Sequence, residues 1–331
     1  MPTRDDVARL ARVSTATVSR AYNDPSLVSP DKQKRILKAA QKLGYVPDKN
    51  ASALRRSGSG AIALLEQKKP GLSSDRYYSW LYAEVIRSVK AVVDASPFRL
   101  LLLTAESKAD VRRFTSQGLC DAFLCHGLSD PGLIAAVRKS GLPQVHCWRE
   151  YNPDINAVQL DEIKGGRMAG DRFKAAGLSR PAHITGVLKK LRVCRDRLSG
   201  FESAFPDHDV KVIDQELGIR GGHASAMRLL PDIRSGRVDS VFVVNDLTAI
   251  GAMQAFLEAG LRIPRDISVI GYGNLPFIDT LPVRLTTVDE QMSVIYTRAA
   301  QIILDLLKEN KSVHETVAPI FVEGDSVKRR P

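Results

Sequence analysis

The chain changes its hydrophobic rhythm near residue 60. Before that point, apolar positions recur at helical spacing. In Arg4–Ala11 the residues Val7, Ala8, Leu10 and Ala11 share one face. Thr3 is placed to cap that helix, with Asp5 and Asp6 near its positive end. A second short segment, TATVSRAYN, puts Val18, Ala21 and Tyr22 together, and Ser14 can cap it. A third, from Ser29-Pro30 to Gly44, carries Ile36, Leu37, Ala40 and Leu43 on one face between a start and a stop signal. Two short helices separated by three or four residues have helix-turn-helix spacing.

From residue 61 short apolar runs alternate with amphipathic helices. The runs are 61–65, 98–103, 121–125, 182–185, 210–213, 240–244 and 267–272. Helices are predicted near 80–95, 130–140, 161–177, 221–234, 246–260 and 291–309. Such alternation predicts parallel α/β sheets covered on both faces. The length of this part predicts two similar subdomains with a cleft between them, and ligands bind at the carboxyl ends of such strands.

Charge sharpens the division. The 331 residues carry a formal net charge of +11. Residues 1–60 hold 12 basic and five acidic side chains, so +7 lies there and +4 in the remaining 271. A basic head on a nearly neutral body points to an anionic partner for the head. The second helix offers the chemistry for DNA: short Ser14, Thr15, Thr17 and Ser19, with Arg20 able to reach guanine O6 and N7. Any small three-helix bundle shares part of this pattern.

Composition mainly excludes. The four cysteines (Cys120, Cys125, Cys147, Cys194) lack metal-type spacing and suggest reduced, buried thiols in a cytoplasmic protein. No apolar run approaches the ~18 residues of a membrane span, and the polar N-terminus is not a signal peptide. There is no G-x-S-x-G elbow, P-loop or G-x-G-x-x-G, and the six histidines lack metal-ligand spacing. The expectation is therefore no enzyme, no metal and no cofactor. A transporter's solute-binding protein is disfavoured by the basic head.

The stretch from Arg4 to Arg56, with DVARLARVS, TVSRAYN, LGYVP and ASALRR, resembles the DNA-binding head of the lactose-repressor (LacI/GalR) family. The resemblance continues through RLSGF (197–201), VFVVNDLTAIGAMQAF…IPRDISVIGYGNLP (241–276) and LTTV (285–288). It implies a helix-turn-helix domain over 1–47, a hinge helix and linker over 48–60, and a periplasmic-binding-protein-like sensor over 61–331. The sensor's subdomains would be roughly 61–160 plus 290–318 and 161–289 plus 319–331. Thr15 and Ala16 fall at base-reading positions and Arg20 at the base-contacting arginine. Thr3, Ser14, Thr17, Ser19, Asn23 and Tyr45 would position the head on the backbone, with Ala51 and Leu54 in a minor-groove wedge. The implied partners are pseudo-palindromic operator DNA, a second copy of the chain and a small sugar-like effector. Arg12 replaces the family's turn glycine, Asp48 an asparagine and Ser52 the hinge arginine.

In the sensor, Tyr82, Trp148, Arg197 and Asn245 fall at effector-contacting positions. A surface salt bridge for Arg197, core packing for Tyr82 and a helix cap for Asp246 are the competing readings. Trp148 and Gly273-Asn274 stand where the family often has carboxylates, and Lys189, Lys190, Arg192, Arg195 and Arg197 form a basic run. Together they predict a cleft short of carboxylates and an acidic effector, a sugar acid or phosphosugar; a solvated basic face is the alternative. The segment 66–80, with Tyr77, Tyr78 and Trp80, is either a lid or a surface insertion.

Overall fold

The computed structural model describes residues 2–23, 25–45, 58–68, 76–147, 155–186, 188, 191–309 and 312–329. Ala51 and Leu54 of the expected hinge, Trp148, Lys189, Lys190 and the centre of the 66–80 segment lie outside the described residues. So do the side chains of Asn23, Tyr77, Tyr78 and Trp80. The chain divides into two compact units, Met1–Ser59 and Gly60–Pro331.

The first unit holds α1 (Arg4–Ala11), α2 (Thr15–Asn23) and α3 (Pro30–Leu43), with a short 3-10 turn at Pro25–Leu27. Thr3 caps α1 in a reciprocal capping box with Asp6. Its apolar face is narrower than the spacing predicts: Val7, Ala8 and Ala11 are buried, but Leu10 is 45% exposed. Leu37 of α3 is likewise exposed. A three-helix unit this small fully buries few side chains, here Val7, Val18 and Ile36 at its centre among smaller buried residues such as Ala8, Ala21 and Ala40. Arg12 ends α1 in the left-handed conformation, φ 53°, where the family carries glycine. Gly44 closes α3 at φ 64°.

The second unit contains two parallel sheets. The larger has the order β11-β5-β4-β3-β1-β2. Its strands are β1 (Ala61–Gln67), β2 (Arg99–Ala105), β3 (Ala122–His126), β4 (Gln144–Cys147), β5 (Ala157–Leu160) and β11 (His314–Val317). The smaller has the order β7-β6-β8-β9, from β6 (Pro181–Thr185), β7 (Lys211–Asp214), β8 (Ser240–Val243) and β9 (Ser268–Ile270). β1, β3, β6, β8 and β9 are almost wholly buried, as expected when helices cover both faces. An antiparallel pair, β10 (Thr287–Asp289) with β12 (Ile320–Val322), joins the two sheets' crossovers.

The helices of this unit are α4 (Arg76–Val93), α5 (Lys108–Ser116), α6 (Pro131–Lys139), α7 (Glu162–Ala175), α8 (Arg192–Glu202), α9 (Ile219–Arg234), α10 (Asp246–Glu258) and α11 (Met292–Leu306). One core cluster runs from Ile62 and Leu64 through Val85 and Tyr296 to Phe201, Phe242 and Tyr272, so it ties both sheets together. The four cysteines are buried free thiols. No helix among the described residues is long and apolar enough to cross a membrane.

Several features escape the hydrophobic pattern, among them the short strands β4, β5 and β11. α5 is polar, with only Val111 and Phe114 buried. The run of basic residues expected as a loop is largely helical, because Arg192, Arg195 and Arg197 lie on α8. That helix lies so close to α7 that a Cβ on Gly200 would meet Ile163 O at 1.9 Å, and one on Gly166 would meet Arg197 O at 2.0 Å. Only glycine permits this backbone approach. The crossing sets Glu162, one turn before Gly166, beside Arg197, just before Gly200.

Candidate functional sites: a DNA-reading helix and a junction of buried charges

On α2 the apolar residues Val18 and Ala21 face the core. Thr15, Ala16, Ser19 and Arg20 recur at the spacing of the opposite face. Ala16 and Arg20 are exposed, Thr15 and Ser19 half-exposed. Ser14 caps the helix, its Oγ accepting from Thr17 N at 3.2 Å and lying 2.8 Å from Thr17 Oγ1. Tyr45 packs edge-on against Tyr22, ring centroids 6.3 Å apart. Thr3 sits at the exposed start of α1. α2 is thus held by its caps and rear face, leaving Ala16 and Arg20 outward with no ion pair to Arg20 among the described residues.

In the second unit the carboxyl ends of β8 and β9 lead to a buried cluster. Arg197 of α8 is only 4% exposed. It donates from Nε to Glu162 Oε2 (2.8 Å) and from Nη2 to Glu162 Oε1 (3.2 Å) and Glu290 Oε1 (3.1 Å). Its Nη1 donates to Val244 O at 2.6 Å. The guanidinium lies 3.6 Å above the ring of buried Tyr272, whose hydroxyl donates to Glu162 at 2.8 Å. Burial pulls the pKa of Arg197 down, but Glu162 and Glu290 more than offset that and hold it charged. Arg197 is therefore an internal cation with four protein partners rather than a surface salt bridge.

Asp246 begins α10 and is fully buried. Its oxygens accept from Thr287 Oγ1 (2.6 Å) and Leu275 N (3.0 Å), tying the loop after β9 to β10. Burial pushes its carboxyl up to about 6 despite those bonds. The helix cap expected of Asp246 is instead Asn245, which accepts from Thr248 N at 2.8 Å. That bond occupies Asn245 Oδ1.

A cavity of about 280 Å³ lies at the junction, between Leu81 and Glu84 of α4, Asn274 after β9, and Asp289, Glu290 and Ser293 of the crossover. Asn274 donates to Asp289 at 2.9 Å. The expectation of a cleft short of carboxylates is corrected by these residues, which come from sequence-distant segments. Nearby guanidiniums are engaged as well: Arg192 pairs with Asp196 at 3.0 Å and Arg195 donates to Leu188 O at 2.8 Å. Tyr82 is half-buried in the core and 5.7 Å from the ring of His126, which hydrogen-bonds Tyr296. Glu162, Tyr272 and His126 were not legible as site residues. Glu290, immediately after LTTV-Asp, had a signal in its place before the crossing helix.

Comparison with known proteins gives two family matches. Residues 3–48 match "Bacterial regulatory proteins, lacI family" and residues 171–327 match "Periplasmic binding protein-like domain". The chain is 29% identical over 321 residues to the HTH-type transcriptional repressor PurR of Photobacterium profundum, covering 93% of each chain. Among solved structures it resembles the lac repressor dimer bound to operator and the anti-inducer ONPF, with TM-score 0.85, 23% identity and 98% of each chain covered. It also resembles the transcriptional regulator CelR in its cellobiose complex, with TM-score 0.71, 24% identity, 98% of this chain and 100% of that one. With a lacI-family match over residues 3–48 followed in the chain by a periplasmic-binding-protein-like domain over 171–327, the chain belongs to the lacI family of bacterial regulatory proteins, as a DNA-binding transcriptional regulator.

Proposed function

We propose that the protein is a homodimeric repressor that reads a pseudo-palindromic operator and is controlled by a small carbohydrate-like effector bound at the subdomain junction. Two copies of α2 enter successive major grooves, half-sites lying about 34–36 Å apart. Arg20 reads a guanine edge, with Thr15 and Ala16 against neighbouring bases. Ser14, Thr17, Ser19, Asn23 and Tyr45 set the register, and Ala51 and Leu54 act at the operator centre. Effector binding shifts the junction and so the operator affinity, and the operator shifts effector affinity by the same factor.

The observation that carries the effector class is the acceptor-rich cavity edged by Glu84, Asp289 and Glu290. Carboxylates accept hydroxyl protons, so a neutral, hydroxyl-rich sugar suits it. A sugar acid or phosphosugar finds Arg197 already matched by two carboxylates. Tyr82, Trp148, Arg197 and Asn245 are the further contacts proposed from the family pattern. Titration calorimetry with matched neutral and acidic sugars tests this. The expected outcome is binding of a neutral member, with release or capture of operator DNA at the same concentration. Binding of the acidic members alone would overturn the effector class.

A further inference from the structure

The junction holds more carboxylates than it can neutralise. Among the described residues Arg197 is its one buried cation, and both Glu162 and Glu290 bind it. A third carboxylate, Asp246, has a hydroxyl and a backbone amide as partners. Gly273 stands between it and Glu290. A Cβ built there would lie 3.4 Å from Asp246 Oδ2 and 4.0 Å from Glu290 Oε1. Glu290 thus faces Arg197 from α8, Glu162 from α7, Asp246 from α10 and Tyr272 from the loop after β9. Asp289 precedes it in the chain, and Glu84 of α4 stands across the cavity. With every carboxylate ionised, the buried four-group cluster would carry two uncompensated negative charges. Dry protein does not sustain that, and the cheapest relief is a proton.

Glu290 also stands at a mechanical joint. It is the last residue before Gln291, which bends the crossover into α11 at φ 53°. Asp289 accepts from Gln291 N at 2.7 Å and from Asn274, so the bend, the loop after β9 and Glu290 form one piece. That piece is a wall of the cavity.

We infer that Glu290 is a proton-exchanging positioning residue: it gives up a proton as pH rises through the neutral range, and losing it loosens the crossover that walls the effector cavity. The inference deepens the regulation of the proposed effector site. The proton itself needs no effector to be tested.

Burial first, then Glu162 and Asp246, push the Glu290 carboxyl up to about 7 against the pull of Arg197. The folded form therefore binds more protons than the unfolded chain between the ordinary glutamate range and about 7. Stability from this group is present at low pH and is lost as pH rises through that window. E290Q imitates the protonated state without a titrating group.

The test uses the full chain. Thermal unfolding is followed from pH 5.5 to 8.5 for wild type and E290Q, with amide exchange of residues 286–294 corrected for its intrinsic pH dependence. The expected result is an E290Q midpoint that gains on wild type by roughly 2–4 °C or more between pH 5.5 and pH 8.5. Exchange of the crossover should rise several-fold with pH in wild type and stay flat in E290Q. Parallel profiles, or an E290Q midpoint that loses ground on wild type as pH rises, would overturn the inference, since both mark Glu290 as an ionised strut. If E290Q does not fold, E162Q decides. Removing that neighbouring charge should move the wild-type inflection to lower pH, and an unmoved inflection overturns the proposal. Failure to bind any sugar would sink the effector reading while leaving the proton result standing.

Discussion

Replacing Arg197 by methionine separates two roles that the residue could hold. Methionine keeps much of the stem's volume and removes the charge. In the structure that charge is bidentate to Glu162, reaches Glu290 at 3.1 Å and satisfies Val244 O. Without it two buried carboxylates face each other with no cation. Breaking a buried ion pair from one side costs about 3–5 kcal/mol. The stranded carbonyl and the lost ring contact with Tyr272 overlap with that figure, since all three report one side chain. Against a typical total stability of about 5–15 kcal/mol, the loss is a large fraction. Urea unfolding followed by circular dichroism should show a midpoint lower by about 1 M or more. The deficit should also shrink on acidification. Glu290 takes up a proton more readily once Arg197 is gone, and a neutral carboxyl no longer repels its neighbour. So R197M should approach wild type near pH 5 and fall furthest below it near pH 8. A loss under about 1 kcal/mol that is flat with pH, joined to abolished effector response, would refute this account. It would make Arg197 a ligand-gripping group with little share in holding the fold.

Three further outcomes follow. Arg20→Ala should weaken operator binding by about 1–3 kcal/mol and relax preference at one base position, measured by competition against operator variants; unchanged selectivity would remove Arg20 as a reader. Arg12→Gly should stabilise the head by about 0.5–1 kcal/mol, because the residue sits at φ 53°; if Arg12 touches phosphate, the log–log salt slope of DNA binding should drop by about 0.9. Gly200→Ala should cost at least about 1–3 kcal/mol by urea unfolding, because its Cβ would meet a backbone carbonyl at 1.9 Å; a neutral result would mean that α7 and α8 are free to separate.

Most of the architecture was legible because it is periodic. Apolar runs at 61–65, 121–125 and 240–244 became buried parallel strands, and Ser14 and Thr3 became the caps that their hydroxyls promised. Misses occurred where a strand is short, as in β5, or where burial is sparse. α5 buries two side chains, and Leu10 shares a helical face with core residues yet lies beyond the edge of a very small core. Charge misled in a different way. Arg192, Arg195 and Arg197 read as an open basic border, but an ion pair depends on distance in space. The carboxylates that answer Arg197 lie 35 and 93 positions away in the chain.

The sequence by itself determined the local and repetitive features: a capped second helix carrying Arg20, a basic head, and a body of alternating strands and helices. Each follows from interactions within a few residues, or from a hydrophobic period that holds wherever the segment packs. Only the tertiary structure decided what the cavity is made of. Gly166 and Gly200 let two helices touch, and that contact sets Glu162 against Arg197. The crossover then delivers Glu290 to the same guanidinium. Whether a charge is free to meet a ligand depends on partners brought from distant segments and on the water they exclude, and neither quantity is written along the chain.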